Sequence, residues 1–454
     1  MQYPVKKNDL ISIQIESYTA EGAGVGRYQG LAVFVPGTIC KETVRAQIIK
    51  VSARYAVGKC VEILQPSPHR VAPPCPVYRQ CGGCVLQHMD AKAQQAFKQQ
   101  RIVDCFAHIG GFADLPAPTV HTMQHPFRYR NKASFPVRLQ QGEPALGLFA
   151  PRSHRIVPIV DCLLQHPDNA VILQCVREWM QQHHIVGYDE QTGRGTLRHV
   201  LTRRATSGDW LVCLVSAAPL PHAAALVELL RARIPQLKTV VENENRQRTN
   251  VILGKRERVL YGEGILREQL MGFSFRVSAQ SFLQVNPIQT QVLYQRALHF
   301  AGLRGDETVV DAYCGVGTMS LLFAKHAARV IGIECVAPAI DNALQNAWDS
   351  GVENATFLCG YAEKELPLLI QSGTVVDVLL LDPPRKGCDT AVLEAAITAG
   401  IPKIVYVSCN PATLARDCAY LQQHGYALNR LEGVDMFAQT AHVECVALLQ
   451  REAL

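Results

Sequence analysis

Residues 308–318, Thr-Val-Val-Asp-Ala-Tyr-Cys-Gly-Val-Gly-Thr, decide the fold class of this chain. The apolar run at 308–310 predicts a short buried strand, and a helical pattern follows the glycine-rich loop at 319–326. Asp311 stands where the strand ends. A strand, a tight loop and a helix in this order are typical of a doubly wound parallel sheet.

The same pattern recurs three times towards the C-terminus, each time with a chemically active side chain after an apolar run. The runs are 330–333, 375–381 and 404–407, and the side chains that follow them are Glu334, Asp382 and Cys409. Ligands of doubly wound sheets bind beyond the carboxyl ends of the strands. We therefore expect these three side chains and Asp311 to share one edge.

The loop after the first strand is compatible with two classes of cofactor. A dinucleotide site requires a third glycine, whereas Met319 and Ser320 stand in its place. Glu334 lies where an acid could hold ribose hydroxyls in either class. The sequence favours S-adenosylmethionine, which carries two cationic groups and no phosphate. Arg385 follows the two prolines after Asp382, where amino-group methyltransferases typically have an aromatic residue, so methylation of an amino group is disfavoured.

Cys409 is a candidate nucleophile. Asn410 is a suitable N-cap and Pro411 a suitable first helical residue, so the thiol lies at the start of a helix. The helix dipole predicts a lowered thiol pKa. The alternative is an ordinary packed cysteine. Glu444 opens the apolar strand 445–449, an unusual place for a carboxylate unless it has a catalytic role or forms a structural ion pair.

A thiolate, a methyl donor and a carboxylate together fit methylation at C5 of a pyrimidine. C5 becomes nucleophilic only after a thiolate adds to C6, the role predicted for Cys409. A general base must then remove the C5 proton, the role predicted for Glu444. A stacked base must be flipped out to reach such a site, which accounts for a large accessory region. Cys314 and Cys388 are weaker candidates for the nucleophile.

The N-terminal part of the chain, the front part, is basic, and the C-terminal part is acidic. The chain has 454 residues and 48% hydrophobic content, enough for two to four domains. Residues 1–270 carry 33 Lys and Arg against 21 Asp and Glu, whereas 271–454 carry 12 against 18. This asymmetry favours a polyanion-binding front part, although a solvated basic surface is the alternative. The start of the chain has no signal-peptide core, and no apolar run reaches membrane-spanning length, so we expect a cytoplasmic protein without membrane contact.

The front part contains a predicted barrel and a cysteine group. Short β segments over 1–65, separated by glycine-rich turns, predict a small antiparallel barrel that either binds RNA or is a structural addition. Four cysteines follow, and in a reducing compartment they favour an iron–sulfur cluster over zinc, because a second C-x-x-C pair is missing. These cysteines are Cys75, Cys81, Cys84 and Cys162.

Two basic stretches resemble RNA-contacting strands. Residues 127–132 interleave arginine with tyrosine before an alternating run, and 195–204 form a second basic strand. Such residues suit phosphate contacts and base stacking. His154 and His199 are interpreted as polar surface residues.

The motifs together resemble the RNA uracil-5-methyltransferases, specifically the iron–sulfur-containing branch acting on 23S ribosomal RNA. The resemblance covers nearly the whole chain. It implies a Rossmann-like α/β methyltransferase domain, an N-terminal OB-like TRAM barrel and a central α+β iron–sulfur RNA-binding domain. It assigns Cys409 as nucleophile, Glu444 as proton acceptor and the four cysteines as ligands of a 4Fe–4S cluster. The implied S-adenosylmethionine contacts are Gln284 of the F-x-Q-x-N segment, Tyr313, Thr318, Glu334, Asp382 and, where tyrosine is not the usual residue, Tyr361.

The resemblance also implies domain boundaries and partners. The barrel would span 1–65, the central domain 66–92 and 125–268, and the methyltransferase domain 93–124 and 269–454. The expected partner is 23S ribosomal RNA, with no obligate protein partner. The alternatives are transfer RNA, whose enzymes usually lack the barrel and cluster, and a non-catalytic iron–sulfur RNA-binding protein. Ala438 departs from the proline usual in the family's loop before the base, which would loosen that loop.

Overall fold

The computed structural model describes residues 4–140 and 142–452. Residues 1–3 of the predicted barrel, residue 141 of the predicted central domain and residues 453–454 of the predicted methyltransferase domain lie outside the described residues.

The first six strands form one sheet in the order β1-β5-β6-β4-β3-β2. They are β1 (Leu10–Gln14), β2 (Ser17–Tyr18), β3 (Gly24–Tyr28), β4 (Leu31–Val35), β5 (Thr43–Val51) and β6 (Tyr55–Gln65). Their pairings are antiparallel except for β4 with β6. Val44, Ala46 and Ile48 alternate inward along β5 and are fully buried, as the two-residue period of a strand requires. The predicted small barrel therefore has its own apolar core.

A helix and a short strand follow residues 75–86, here called the cysteine segment. They are α1 (Ala91–His108) and β7 (Val120–His121). Asp90 caps α1, since its carboxylate accepts a hydrogen bond from the Ala93 N–H at 2.8 Å. β7 joins the C-terminal sheet by pairing with the stretch 433–434. This part of the chain thus contacts the C-terminal region, far away in sequence.

The central region is a seven-stranded sheet covered by two helices, in the order β10-β9-β8-β11-β12-β13-β14. Its elements are β8 (Lys132–Gln140), β9 (Glu143–Phe149), β10 (Ile156–Pro158), α2 (Asp168–Gln182), β11 (Leu197–Arg204), β12 (Trp210–Ser216), α3 (Ala223–Arg233), β13 (Leu237–Glu244) and β14 (Arg256–Tyr261). Trp179 of α2 and Trp210 of β12 are buried in its core.

The C-terminal region begins with the hairpin β15 (Leu266–Leu270) and β16 (Phe273–Val277), followed by alternating helices and strands. These are α4 (Pro287–Ala301), β17 (Thr308–Asp311), α5 (Thr318–Ala324), β18 (Arg329–Glu334), α6 (Ala337–Asp349), β19 (Ala355–Cys359), α7 (Ala362–Gln371), β20 (Val378–Leu381), α8 (Thr390–Ala399), β21 (Lys403–Ser408), α9 (Pro411–Gln423), β22 (Tyr426–Val434) and β23 (Glu444–Arg451). β20 is shorter than the predicted strand 375–381, because Val375 is exposed and Asp377 instead accepts a hydrogen bond from the Thr308 N–H.

The C-terminal sheet has eight strands in the order β19-β18-β17-β20-β21-β23-β22-β7. The first five are parallel, as predicted. β23 runs antiparallel to β21, with Ser408 opposite Cys445. The start of β23 therefore meets the carboxyl ends of the parallel strands, which brings a late stretch of the chain to the predicted ligand edge.

Two residues of the first basic stretch, Arg128 and Tyr129, are held by internal contacts. Arg128 forms an ion pair with Asp161 at 2.6 Å and donates to the carbonyl oxygens of Cys162 and Gln165. Tyr129 is buried, and its hydroxyl donates to the Ala438 carbonyl at 3.0 Å. Tertiary packing therefore occupies these two side chains, whereas Arg130 and Lys132 are partly accessible.

The second basic strand, β11, is also largely buried. Arg198 donates to the carbonyls of Asn245 and Gln247, and Arg203 donates to the carbonyl of Ser281. His199, predicted at the surface, is buried, and burial lowers its pKa to about 4. The Arg198 and Arg203 side chains satisfy backbone carbonyls between elements, so those guanidinium groups are not free for phosphate contacts.

Within the described residues, the helices are all too short or too polar to cross a membrane.

Candidate active site

One edge of the C-terminal sheet carries the predicted reactive groups. Parallel pairing places Asp311 opposite Leu380, two residues before Asp382. Glu334 ends β18, Cys409 follows β21, and Glu444 begins the antiparallel β23. Because Ser408 is paired with Cys445, Cys409 and Glu444 lie at the same end of that strand pair. The fold thus brings together the two groups assigned as nucleophile and base.

The backbone around Cys409 is held by the cap of α9. The Asn410 carboxamide oxygen accepts the Ala412 N–H at 3.2 Å, and its Nδ2 donates to the Arg385 carbonyl at 3.1 Å. Thr413 Oγ1 also contacts the Arg385 carbonyl. These bonds join the loop after β20 to the loop that carries the thiol.

The structure corrects the predicted direction of the Cys409 thiol pKa. Burial raises this pKa, and the carboxylates of Glu444 and Asp382 raise it further. Arg385 opposes them through its charge and a hydrogen bond to the thiol. Burial and two acids outweigh the helix start, so thiolate formation in the free protein depends on Arg385.

Glu444 is a buried carboxyl with a strongly altered proton affinity. Its side chain is nearly inaccessible to solvent, and burial, followed by repulsion from Asp382, raises its pKa to about 8. Arg385 acts in the opposite direction. A carboxyl with such a pKa holds its proton near neutrality in the free protein and is a stronger base than an exposed glutamate once ionised.

Two further carboxyls make this edge strongly acidic. Burial raises the pKa of Asp382 to about 7 and that of Asp311 to about 6, and repulsion between the two contributes to Asp382. Ser320 donates to Asp311 at 2.7 Å. Crowded buried acids carry an unfavourable charge that a cationic ligand would neutralise.

Tyr294 is a site residue that sequence reasoning missed. It is buried on α4, and its hydroxyl lies 3.1 Å from Thr318 Oγ1. Burial and nearby Asp382 and Asp311 raise its pKa. Tyr294 occupies an ordinary apolar helical stretch, so no local pattern distinguished it from a core tyrosine.

The glycine loop between β17 and α5 requires small residues. Gly317 has φ +82°, and a Cβ there would lie 3.2 Å from Ala343 Cβ and from the Phe357 ring. Tyr313, on the same loop, has a raised pKa because of burial and the nearby Cys388 thiol. The loop therefore places Tyr313 and Thr318 beside the acidic edge.

Of the remaining predicted cofactor residues, Glu334 lies close enough to Asp311 to raise the pKa of that carboxyl. Glu334 accepts the Val336 N–H at 2.9 Å, and its backbone carbonyl accepts the Gly360 N–H. Tyr361 follows β19 and is 56% exposed. Gln284 is buried near the start of α4, and its carbonyl oxygen accepts a hydrogen bond from Asn131 Nδ2 at 3.4 Å.

The two alternative nucleophiles are less suitable than Cys409. Cys314 and Cys388 are buried, whereas Cys409 is partly accessible. Burial raises the pKa of Cys388 to about 12 and also raises that of Cys314.

The four predicted metal-ligand cysteines line one cavity. It measures about 260 Å³ and lies between the cysteine segment and the central sheet. Burial raises the pKa of the Cys84 thiol to about 12, and the other three thiols contribute to this increase. Across the described ranges, no three His, Cys, Asp or Glu side chains converge closely enough to hold a single metal ion.

Comparison with known proteins identifies the family. A family model described as tRNA (uracil-5-)-methyltransferase matches residues 203–452, and a TRAM domain model matches 4–61. The first match covers more than half of the chain. The chain belongs to the tRNA (uracil-5-)-methyltransferase family.

Two relatives named as RNA methyltransferases resemble the chain over nearly its whole length. An uncharacterized RNA methyltransferase of Halalkalibacterium halodurans is 44% identical over 451 residues, covering 99% of this chain and 98% of the relative. One of Clostridium acetobutylicum is 41% identical over 453 residues, covering 99% and 98%. The chain is therefore an S-adenosylmethionine-dependent RNA methyltransferase.

The fold has a near-complete counterpart among solved structures. The tRNA (uracil-54, C5)-methyltransferase of Pyrococcus abyssi, solved with S-adenosyl-L-homocysteine, has a TM-score of 0.78 and 23% identity. The likeness covers 96% of this chain and 99% of that protein. The predicted α/β methyltransferase fold with an N-terminal TRAM domain is confirmed.

Proposed function

We propose that this methyltransferase modifies C5 of uridine in 23S ribosomal RNA, with Cys409 as nucleophile and Glu444 as general base. The observation that carries the proposal is the meeting of these two side chains at one end of the β21–β23 pair, beside Arg385. A thiol and a buried carboxyl are the two groups that C5 methylation of a pyrimidine requires.

The acidic edge fits S-adenosylmethionine. Asp382, with its raised pKa, and Asp311 suit the cationic groups of this ligand, and Glu334 suits ribose hydroxyls. We propose Gln284, Tyr313 and Thr318 as further contacts, with Tyr361 at the border. The ligand supplies an electrophilic methyl group when bound.

The proposed mechanism uses the protein groups in sequence. The Cys409 thiolate forms a bond to C6 of uracil, and the C5–C6 π electrons move onto the O4 carbonyl to give an enolate. C5 then forms a bond to the methyl carbon as the methyl–sulfur bond breaks, with its electron pair remaining on the sulfur, and C5 still carries its hydrogen. Glu444 takes that proton, the electron pair restores the C5–C6 double bond, and the Cys409 thiolate leaves. Arg385 stabilises the thiolate at the start and at the end of the cycle.

We also propose a 4Fe–4S cluster in the cysteine cavity. Each cysteine would bind a different iron atom, so the four sulfurs need to surround a volume without converging on one point. The presence of Cys75, Cys81, Cys84 and Cys162 in the lining of one cavity supports this proposal. Iron and sulfide analysis of anaerobically purified protein tests this: about four of each per chain is expected, and Cys84→Ala should lower both, whereas a full complement in that variant would overturn the ligand set.

We further propose that residues 93–124 and 269–454 form one methyltransferase domain, with 66–92 and 125–268 as the central domain and 1–65 as the barrel. The pairing of β7 with β22 supports the first assignment.

Transfer RNA is the second candidate substrate. The Pyrococcus abyssi protein, named for its action on uracil 54 of tRNA, shares its fold with 96% of this chain. The barrel therefore discriminates less between the two RNAs than the sequence resemblance implied.

Transfer of labelled methyl groups to 23S rRNA and to tRNA, each lacking 5-methyluridine, tests the substrate. Label mapped to a uridine C5 in 23S rRNA is expected. Label in tRNA alone would refute 23S rRNA as the substrate but leave the proposed C5 methylation in place. No label in either RNA would favour the non-catalytic alternative.

A further inference from the structure

The loop that carries the general base is held mainly by parts of the chain outside the parallel strands. This base loop, residues 435–443, connects β22 to β23 and ends immediately before Glu444. Its conformation therefore sets where the Glu444 backbone enters the site. The contacts that fix it come from α1, the cysteine segment and the barrel, and also from Tyr129 and the start of α4. There, Asn286 Nδ2 donates to the Met436 carbonyl and Gln289 Nε2 donates to the Asp435 carbonyl.

Helix α1 contacts the base loop at both ends through buried polar groups. Lys98 forms an ion pair with Asp435 and donates to the Phe437 carbonyl at 3.2 Å. Arg101, one turn further on, donates to the carbonyl of Ala441.

The middle of the base loop is closed by a pair of glutamine side chains. Gln94 Nε2 donates to Gln439 Oε1 at 3.0 Å, and the Gln439 N–H donates to Gln94 Oε1 at 3.2 Å. Both residues are buried. Gln439 has φ +68°, a conformation that costs energy for a side-chain-bearing residue and persists where surrounding bonds enforce it.

The cysteine segment holds the same residue from the other side. The N–H groups of Val85 and Leu86, directly after Cys84, both donate to the Gln439 carbonyl, at 3.0 and 3.1 Å. Ala438 is buried in an apolar cluster that includes Cys84 and Cys162. The proline-to-alanine departure thus lies in a densely contacted loop.

The barrel completes this junction. Ala441 packs in one apolar cluster with Ile39 of the barrel, Leu86 and Phe97. The barrel, the cysteine segment and α1 therefore all meet on the base loop, and the Gln94–Gln439 pair lies at its centre.

We propose that Gln94 and Gln439 are positioning residues that orient Glu444 for removal of the C5 proton. This inference rests on the proposed function. Its specific consequence is kinetic: disturbing the pair slows release of the methylated adduct more than formation of the adduct, because Cys409 is held by a different set of bonds. A misplacement of about 1 Å in a reacting group can cost roughly a hundredfold in rate.

The test uses two variants of the pair and one control. Gln94→Met keeps the side-chain volume but removes the amide, and Gln439→Gly accepts the positive φ. Gln100→Ala is the control. Gln100 is exposed on α1 and bonds within the helix to Asp104, so it is the matched control. The measurements are the rate of labelled adduct formation on substrate RNA, its decay rate, and S-adenosylmethionine affinity.

Gln94→Met is expected to slow adduct decay by roughly ten- to a hundredfold while formation and cofactor affinity stay within about twofold. Gln439→Gly keeps the hydrogen bonds of its backbone, so adduct decay should slow less in this variant than in Gln94→Met. Gln100→Ala should show the wild-type rates. Decay at the wild-type rate in both glutamine variants, or equal slowing of formation and decay, would overturn the positioning role alone. Absence of any methyl transfer by the wild-type protein would instead overturn the proposed function, and this inference with it.

Discussion

At the scale of single residues, charge and burial around Cys409 set when the proposed chemistry can begin. The thiol is surrounded by two acids that raise its pKa and one arginine that lowers it. Arg385 stands where amino-group methyltransferases typically have an aromatic residue, and its effect on the two reacting groups accounts for that difference. It favours the ionised forms of Cys409 and Glu444, the two groups that must lose a proton.

Replacing Arg385 with alanine should make Cys409 less reactive in the free protein. Without the guanidinium, the thiol pKa rises and less thiolate is present at a given pH. The measurement is the pH dependence of Cys409 alkylation, followed by mass spectrometry of the peptide that contains it. Asp382→Asn should shift the profile in the opposite direction, and Lys386→Ala, an exposed neighbour, should leave it unchanged. An unshifted profile in Arg385→Ala would contradict the account.

Glu444→Gln should stabilise the protein increasingly as pH rises. Because the folded-state pKa of Glu444, about 8, exceeds the ordinary 4.5, the folded protein loses stability as pH increases from about 4.5 through 8. Glutamine cannot ionise and escapes this loss. Between pH 5.5 and 8.5, the difference in free energy of unfolding between Glu444→Gln and wild type should therefore grow by about 3 kcal/mol in favour of the variant. Chemical denaturation at both pH values measures this difference, and Glu353→Gln, at an exposed position, is the control. A difference between Glu444→Gln and wild type that does not change with pH would show that Glu444 is not buried as described.

At the scale of elements, α1 acts as a support for the catalytic region. Residues 90–109 have helical periodicity with a charged face, and the helix spans Ala91–His108. The charged face is in part buried: Lys98 and Gln94 point into the protein and contact the base loop. Amphipathic periodicity locates a helix, but it cannot show which polar residues a distant loop will cover.

Removing Lys98 should destabilise the protein strongly. Lys98→Met leaves the buried Asp435 carboxylate without its cation, and breaking such a pair costs about 3–5 kcal/mol. Asp435→Asn introduced into the same chain should recover part of that loss, because the unpaired charge is removed. Denaturant midpoints of both variants measure the effect, and Lys92→Met, exposed on the same helix, should change little. Equal midpoints for Lys98→Met and Lys92→Met would refute the buried ion pair.

At the scale of the whole molecule, the sequence predicted the carboxyl-end edge well because strand ends are local features. Asp382, Cys409 and Glu334 each follow a short apolar run, and parallel pairing does bring those ends together. The meeting of Glu444 with Cys409 depended on the antiparallel direction of β23, which no local pattern encodes. There the resemblance to a family supplied what periodicity could not.

The basic front half shows why composition overstates an RNA surface. Arg70, Arg128, Arg138 and Arg258 are each paired with a carboxylate, while Arg198 and Arg203 are buried on backbone carbonyls. Net charge counts these residues, yet packing decides whether they face a ligand. Tyr294 was missed for the same reason, because burial beside Asp382 arises only from tertiary structure.

The central claim is that Cys409 and Glu444 act in sequence on one uridine. Glu444→Gln protein, incubated with S-adenosylmethionine and 23S rRNA lacking 5-methyluridine, should accumulate a covalent RNA–protein adduct. Digestion and mass spectrometry should identify Cys409 linked to a nucleotide that carries the added methyl group, and Cys409→Ala in the same background should abolish the adduct. Ordinary turnover by Glu444→Gln, or an adduct attached to Cys314 or Cys388, would contradict the account.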